Sequence, residues 1–339
     1  IIIKNYFHFM VSSDNSTLHK IITPVIDDLK TFDIEYKRAI KSDVRLINTI
    51  TKYMMRKKGK NIRPSLTLLS ARLCGEPTIN TYRAAAMMEL LHIATLIHDD
   101  VVDDATLRRG FPSLNFIWKN KLSVLMGDFL LSKALINMIR IKDFDALERI
   151  SITAEKLSAG EILQIEKSMT KSMDEATYFD MIGQKTASLI ATSCELGAIT
   201  TTKKEIDRKS TYDFGHNLGI AFQIKDDLFD ILGSEFQTGK NSNSDVKKNM
   251  ITLPLIHAKS KMSRIQKRKL NKLLNKNKKN KKTLLIIREL ITEAGGIQYS
   301  NDKMEEYSDL ALNAISHYPN SPIKASLTDL VSYNGSRIK

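Results

Sequence analysis

A chain of 339 residues with 52 Lys+Arg against 38 Asp+Glu carries a formal net charge of +14, an excess that raises a nucleic-acid or anionic-membrane partner as a first question. A hydrophobic fraction of 42% and a charged fraction of 27% exclude disorder through most of the chain and leave enough apolar surface for a large core. With 14 Gly and 7 Pro the chain lacks the turn punctuation of a sheet-rich fold, so an all-α protein is expected.

The opening segment, Ile1–Phe9, is apolar and basic and does not start with Met. It reads either as a targeting remnant or as residues ahead of a start at Met10, and residues 1–18 are expected to form a poorly structured tail. No Pro/Gly-rich linker divides residues 19–339, which are read as one domain, a single large helical bundle. Helical periodicity runs through Ile21–Ser42, Leu46–Lys57, Ser65–Cys74, Thr81–Asp103, Ser123–Arg140 and Phe144–Lys167. It resumes in Glu175–Ala198, Asp207–Leu232, Leu253–Leu274, Leu284–Ala294 and Gln298–Ile315, and no strand is expected. Blocks such as Ala187–Ala191 are apolar on more than one face, as suits a helix enclosed by other helices.

No uninterrupted apolar stretch approaches the roughly 18 residues of a membrane span, so membrane contact is expected to be peripheral at most. Cys74 and Cys194 are too far apart for a local metal pair and too few to staple a secreted scaffold. Both read as reduced thiols in a reducing compartment, the cytoplasm, or an organelle if the N-terminus is a targeting remnant.

The basic excess is concentrated. Lys259–Lys282 holds 12 Lys/Arg and no acid, and without it the chain is close to neutral. So dense a block of like charge repels itself and is expected to be a solvated helix end and loop. It contains no Phe, Tyr or Trp to interleave with the cations, which argues against nucleic acid.

The acidic residues are more informative. His98-Asp99-Asp100-Val101-Val102-Asp103-Asp104 ends one apolar helical block, and Asp226-Asp227-Leu228-Phe229-Asp230 ends another. Positions i and i+4 share a helix face, so Asp99 with Asp103, and Asp226 with Asp230, each present two carboxylates on one side. The mutual repulsion would be relieved by a cation. Without His or Cys among the donors, the chemistry suits Mg²⁺, which takes one or two carboxylates, keeps waters, and completes its shell with phosphate oxygens. Cations accompany both motifs: Lys60 and Arg63 beside a Gly/Pro-bounded turn, Arg108 and Arg109 after Asp104, Lys185 in an otherwise apolar helix, and Lys240 after the second motif. Together they outline a site for two diphosphates.

From about Lys58 to Pro254 the chain resembles the trans-isoprenyl diphosphate synthases. The residues that carry the likeness are Gly59-Lys60-x-x-Arg63-Pro64, Glu89-Leu90-Leu91-His92, His98 to Gly110, Gly127-Asp128-Phe129-Leu130, Gly160-Glu161, Lys185-Thr186-Ala187, Phe222-Gln223-x-x-Asp226-Asp227-x-x-Asp230 and Thr252-Leu253-Pro254. The resemblance implies an all-helical fold with a central cavity, usually a homodimer, with the two motifs facing each other across the cavity mouth. It implies that Asp99 and Asp103 bind Mg²⁺ over an allylic diphosphate, that Asp226 and Asp230 hold a further Mg²⁺, and that Asp100 and Asp227 support them. Arg108, Lys185, Thr186, Gln223 and Lys240 would contact the allylic substrate; Lys60, Arg63, His92 and Arg109 would hold isopentenyl diphosphate. One departure stands out: Asn249-Met250 replaces the Gly-Lys that many members carry before Thr-Leu-Pro.

The implied chemistry is loss of diphosphate from an allylic carbon, attack by the isopentenyl double bond, and proton loss, with no protein nucleophile. Moving back from Asp99, Thr95, Leu91 and Met88 lie about one, two and three turns away, each turn advancing about 5.4 Å. Ala94 and Thr95 are small where short-chain members often carry aromatic side chains, so a long-chain all-trans product is expected, with a quinone side chain as its destination by family analogy. The alternatives are a short-chain (farnesyl or geranylgeranyl) synthase and a terpene cyclase, the latter disfavoured because a cyclase needs no second diphosphate site.

Overall fold

The computed structural model describes residues 17–56, 60–108, 110–170, 172–232, 251–275 and 280–336, and these are almost entirely helical. Residues 17–22 are already helical and bury Leu18 and Ile21. A 3₁₀ turn at Thr23–Val25, containing Pro24, leads into α1 (Ile26–Ile40), so the first predicted block is interrupted where proline removes a backbone donor. Helices α2 (Arg45–Met55) and α3 (Ile62–Cys74) follow.

Helix α4 (Ile79–Val102) is the spine of the bundle. A reciprocal Thr78/Thr81 capping box starts it, and its small and flexible residues Ala84, Ala85, Ala86, Met87, Met88, Leu90, Leu91 and Ala94 are buried among α1, α3, α5 (Leu114–Ile141) and α8 (Ser188–Ile199). Full burial contributes about 1.5–3 kcal/mol for each of these Met and Leu side chains and about 0.8 kcal/mol for each Ala methyl. That packing fixes where the acidic C-terminal end of the helix emerges.

Beyond α4 the structure corrects the expectation of no strand: Leu107–Arg108 (β1) pairs antiparallel with Phe111–Pro112 (β2). Gly110, at φ 76°, supplies the left-handed residue that so tight a hairpin needs. Helix α5 begins earlier than the periodicity suggested and carries a break at Lys119, whose φ is 67°. By length and composition it is apolar enough to cross a bilayer, although Asp128 and Lys133 interrupt its apolar run. Yet α5 packs along α4, and its outward side exposes Phe116, Leu125, Ile136 and Ile139.

Helices α6 (Phe144–Thr170) and α7 (Glu175–Ile182) lead to a π-helical turn, Gly183–Ala187, before α8. The long α9 (Glu205–Leu232) packs on α8 and on α13 (Gly296–Ala314). The single helix expected over Leu253–Leu274 is two, α10 (Leu253–Lys261) and α11 (Arg264–Leu274), because Ser263 and Gln266 form a capping box that starts a new helix. Helix α12 (Lys281–Glu293) precedes α13, and α14 (Pro322–Ser336), not anticipated from periodicity, lies against α3, α9 and α13. Cys74 and Cys194 are free thiols; burial pushes the first up to about 11 and the second up to about 12, so both stay protonated and unreactive.

Candidate active site

The two acidic motifs end up on α4 and α9, and one cavity of about 300 Å³ lies between them. Its wall includes Asp103 from α4, Gln223 and Asp227 from α9, Lys185 and Thr186 from the π turn, and Gln164 and Lys167 from α6. The π turn is placed by close backbone approaches. A Cβ on Gly160 of α6 would sit 2.8 Å from the Lys185 nitrogen, and one on Gly219 of α9 would sit 2.6 Å from Ala187 Cα. Glycine at both positions lets two helices close on the segment that delivers Lys185 into the cavity.

Each motif has one Asp held in place. Asp100 is buried and receives Arg108 Nε at 2.7 and 2.8 Å on its two oxygens; burial raises its pKa and the guanidinium opposes that rise. Asp227, also buried, accepts from Tyr178 Oη at 2.7 Å and from Gln223 Nε2 at 2.8 Å. Thr186 Oγ1 in turn donates to Gln223 Oε1 at 2.7 Å, so Thr186, Gln223, Asp227 and Tyr178 form one chain of hydrogen bonds. Asp99 is pushed up to about 6, first by burial, then by the nearby Glu161 and Asp103 carboxylates, with Lys185 and Arg108 pulling the other way. Lys185 Nζ pairs with Glu161 and donates to Gln164 Oε1 at 3.0 Å.

Of the residues expected to hold isopentenyl diphosphate, Lys60, Arg63 and His92 do not line this cavity. Arg63 NH1 lies 2.9 Å from His92 Nε2, and Lys60 donates to Tyr333 Oη at 2.8 Å with its ammonium 5.4 Å from that ring's centre. Asp226 is half-buried and Asp230 buried on α9. Arg109, Lys240, the Asn249-Met250 departure, Gly59, residues 1–16 and the centre of the basic run at 276–279 lie outside the described residues.

Among the residues assigned to product length, Met88, Leu91 and Ala94 are closed off in the main core, and Thr95 Oγ1 turns back to donate to His92 O at 2.8 Å. None of the four lines the cavity between the motifs. Nor do they line a second, more apolar cavity of about 380 Å³, bounded by Phe32, Tyr36, His92, Leu96 and Arg108. Sequence reasoning assigned no role to Glu161, Gln164, Tyr178 and Tyr333. Gly160-Glu161 stood among the motif residues, and a Glu/Gln pair three positions apart on α6 was a readable sign of a polar face; nothing marked the two tyrosines.

The donor chemistry fits a hard cation. Among the described residues no three acidic, His or Cys side chains converge into a closed cage; of the motif aspartates Asp103 and Asp227 line the cavity, one from each motif, and so sparse a carboxylate set suits an ion that completes its shell with water and phosphate. Asp99 is raised first by burial and then by the Glu161 and Asp103 carboxylates, and a bound cation would favour its charged form against both.

An all-α bundle that brings two Asp motifs to one cavity, with Lys167 and Lys185 in its wall, is the arrangement of a prenyl-diphosphate synthase, and comparison with known proteins agrees. The polyprenyl synthetase family model matches residues 44–291, and the chain belongs to that family. It is 34% identical over 312 residues to heptaprenyl diphosphate synthase component 2 of Bacillus subtilis, covering 92% of this chain and 88% of that one. It is 31% identical over 313 residues to octaprenyl diphosphate synthase of Escherichia coli, covering 92% and 97%. A polyprenyl synthase from Caulobacter crescentus, solved with calcium and isoprenyl diphosphate, superposes with a TM-score of 0.87 at 30% identity over 94% of this chain and 98% of that one. The protein is a trans-prenyltransferase of isoprenoid biosynthesis.

Proposed function

We propose that the enzyme condenses an allylic diphosphate with successive isopentenyl diphosphate units in a Mg²⁺-dependent reaction, giving a long-chain all-trans polyprenyl diphosphate destined for a quinone side chain. The observation that carries this reading is the single cavity bounded by Asp103 of the first motif, Asp227 of the second, and Lys185 and Thr186 between them. In this reading Asp99, Asp103, Asp226 and Asp230 hold the metal, while Asp100 and Asp227, whose oxygens are taken up by Arg108, Tyr178 and Gln223, keep the motifs in register. When bound, Mg²⁺ supplies charge stabilisation at the leaving diphosphate oxygens.

Lys185 and Arg108 add fixed positive charge at the same oxygens, and Thr186 and Gln223 orient them by hydrogen bonds. Lys60, Arg63, His92 and Arg109 hold isopentenyl diphosphate so that its double bond meets the allylic carbon. No side chain is assigned as the final base, since the released diphosphate lies beside the new cation and can take the proton. A growing chain passes Ala94 and Thr95, which are small, and parts Met88 and Leu91; methionine's three rotatable bonds suit that task.

The exposed apolar side of α5, with Phe116, Leu125, Ile136 and Ile139, supports a homodimer built through that helix. The name of the Bacillus relative, a "component 2", makes a two-chain assembly the alternative that light scattering of the purified protein would reveal. Purified protein incubated with Mg²⁺, isopentenyl diphosphate and primers of different length, followed by product mass measurement, tests the reaction. A ladder ending at a long polyprenyl diphosphate is expected; a C15–C20 product would overturn the long-chain part, and a cyclic hydrocarbon the whole.

A further inference from the structure

Helix α11 turns one face inward and leaves the other exposed among the described residues. Leu270 and Leu274 are buried in a small core with Ile231, Leu255, Ile287 and Ile291, and the Ser263/Gln266 box fixes where the helix starts. The outward face then follows from helical geometry: Arg264, Arg268 and Lys272 are spaced by four and form one stripe, with Ile265 and Lys269 as a second row beside it. All five are exposed, Ile265 at 79%. Among the described residues the side chains of Arg264, Arg268, Lys269 and Lys272 make no ion pair, and Lys261 and Lys282 extend the exposed positive surface onto the ends of α10 and α12.

We infer that this surface docks the enzyme on an anionic lipid bilayer. A face kept merely soluble intersperses both signs of charge, whereas Lys259–Lys282 contains no acid of its own and the exposed stripe on α11 carries one sign only, a pattern that a planar anionic surface would stabilise. The one exposed apolar residue in the stripe is aliphatic and sits among cations, the composition of a helix that lies in a headgroup layer. Single-stranded nucleic acid would ask for aromatic platforms, and the segment has none.

The surface is also tied to the site. Ile231, next to Asp230, belongs to the core beneath α11, and Arg288 NH1 of α12 donates to Leu232 O at 2.8 Å. Docking would thus hold the metal-bearing end of α9 at a fixed distance from the lipid. This use of the surface rests on the long-chain reading above, because a long polyprenyl diphosphate needs a lipid phase to leave into.

The test is flotation of the full-length protein with vesicles of phosphatidylcholine alone or with phosphatidylglycerol added. Binding only to the anionic vesicles is expected, lost in about 0.5 M salt. Because each cation near an anionic surface strengthens binding about fivefold, the triple variant Arg268→Gln, Lys269→Gln, Lys272→Gln should bind about a hundredfold more weakly. These residues are remote from the reaction, so its turnover in detergent should match the wild type, which also shows that it folds. Equal binding to neutral vesicles, unchanged binding by the triple variant, or tighter binding to a single-stranded oligonucleotide than to anionic vesicles would overturn the inference. Failure of the product assay with intact vesicle binding would instead overturn the long-chain reading alone.

Discussion

Both acidic motifs repeat Asp-Asp-x-x-Asp, and in each the second aspartate is buried and fully engaged, yet by different chemistry. Asp100 is gripped by one charged donor, Arg108, which reaches back from a two-residue hairpin past the end of α4 and is itself 36% exposed. Asp227 is gripped by two neutral donors, Tyr178 and Gln223, one on α7 and the other a turn earlier on α9. The first arrangement uses a cation that is more than a third exposed, for which a diphosphate can compete; in the second the two donors, Tyr178 and Gln223, are neutral, and Gln223 and Asp227 stand on the wall of the cavity between the motifs. On this account the first motif is held adjustably and the second rigidly.

The comparison is broken most severely by removing a carboxylate proposed to hold metal. Asp99→Asn and Asp226→Asn should each lower kcat by about 10²–10³-fold, the scale for losing one preorganised charge-stabilising group, with circular dichroism unchanged. If either variant retains wild-type turnover, its motif does not serve the metal.

The supporting contacts should separate the two motifs. Arg108→Gln leaves Asp100 buried without its counter-charge, and should cost about 2 kcal/mol of stability in urea unfolding together with a higher KM for the allylic diphosphate. Tyr178→Phe removes one of two neutral donors, and about 1 kcal/mol is expected, with the allylic KM little changed. Equal effects of the two variants on KM would erase the distinction drawn between the motifs.

A smaller effect is expected at Lys60, which Tyr333 of α14 holds by both its hydroxyl and its ring. Tyr333→Phe keeps the ring and drops the hydrogen bond, so KM for isopentenyl diphosphate should rise about fivefold, in proportion to about 1 kcal/mol, while KM for the allylic substrate and kcat stay put. A uniform loss of activity would mean that Tyr333 acts only in packing.

The motifs were legible in the sequence because their chemistry is local. A spacing of i, i+4 places two carboxylates on one helix face whatever surrounds it, and apolar periodicity located the cores of α4 and α9. What escaped is what the folded chain brings together: Tyr178 meets Asp227 across 49 positions and Tyr333 meets Lys60 across 273, separations at which no periodicity speaks. The π turn escaped for another reason, since it bulges within a continuous helical pattern, and only Gly160 and Gly219 on neighbouring helices betray it. The start of α11 was missed although its Ser-x-x-Gln capping signature, Ser263 to Gln266, stands in the sequence.

A carboxylate outside both motifs provides the control for a buried acid with an incomplete grip. Glu195 on α8 is buried and receives Arg149 Nε at 3.1 Å on one oxygen, while its other oxygen has no partner among the described residues. Burial pushes its pKa from the ordinary 4.5 up to about 7, with Arg149 pulling it back down. The folded protein therefore holds this proton more tightly than the unfolded chain does. The resulting stabilisation is fully present below about pH 4.5 and is lost as pH rises to about 7, beyond which the contribution is flat. Since Arg149 is 44% exposed and water screens the pair, the change across that window should be about 1 kcal/mol. Glu195→Gln cannot titrate, so the difference in urea-unfolding free energy between variant and wild type should shift in the variant's favour by that amount between pH 4.5 and 7. A difference that stays constant with pH would show that the orphaned oxygen is solvated and that Glu195, unlike Asp100 and Asp227, is not held away from water at all.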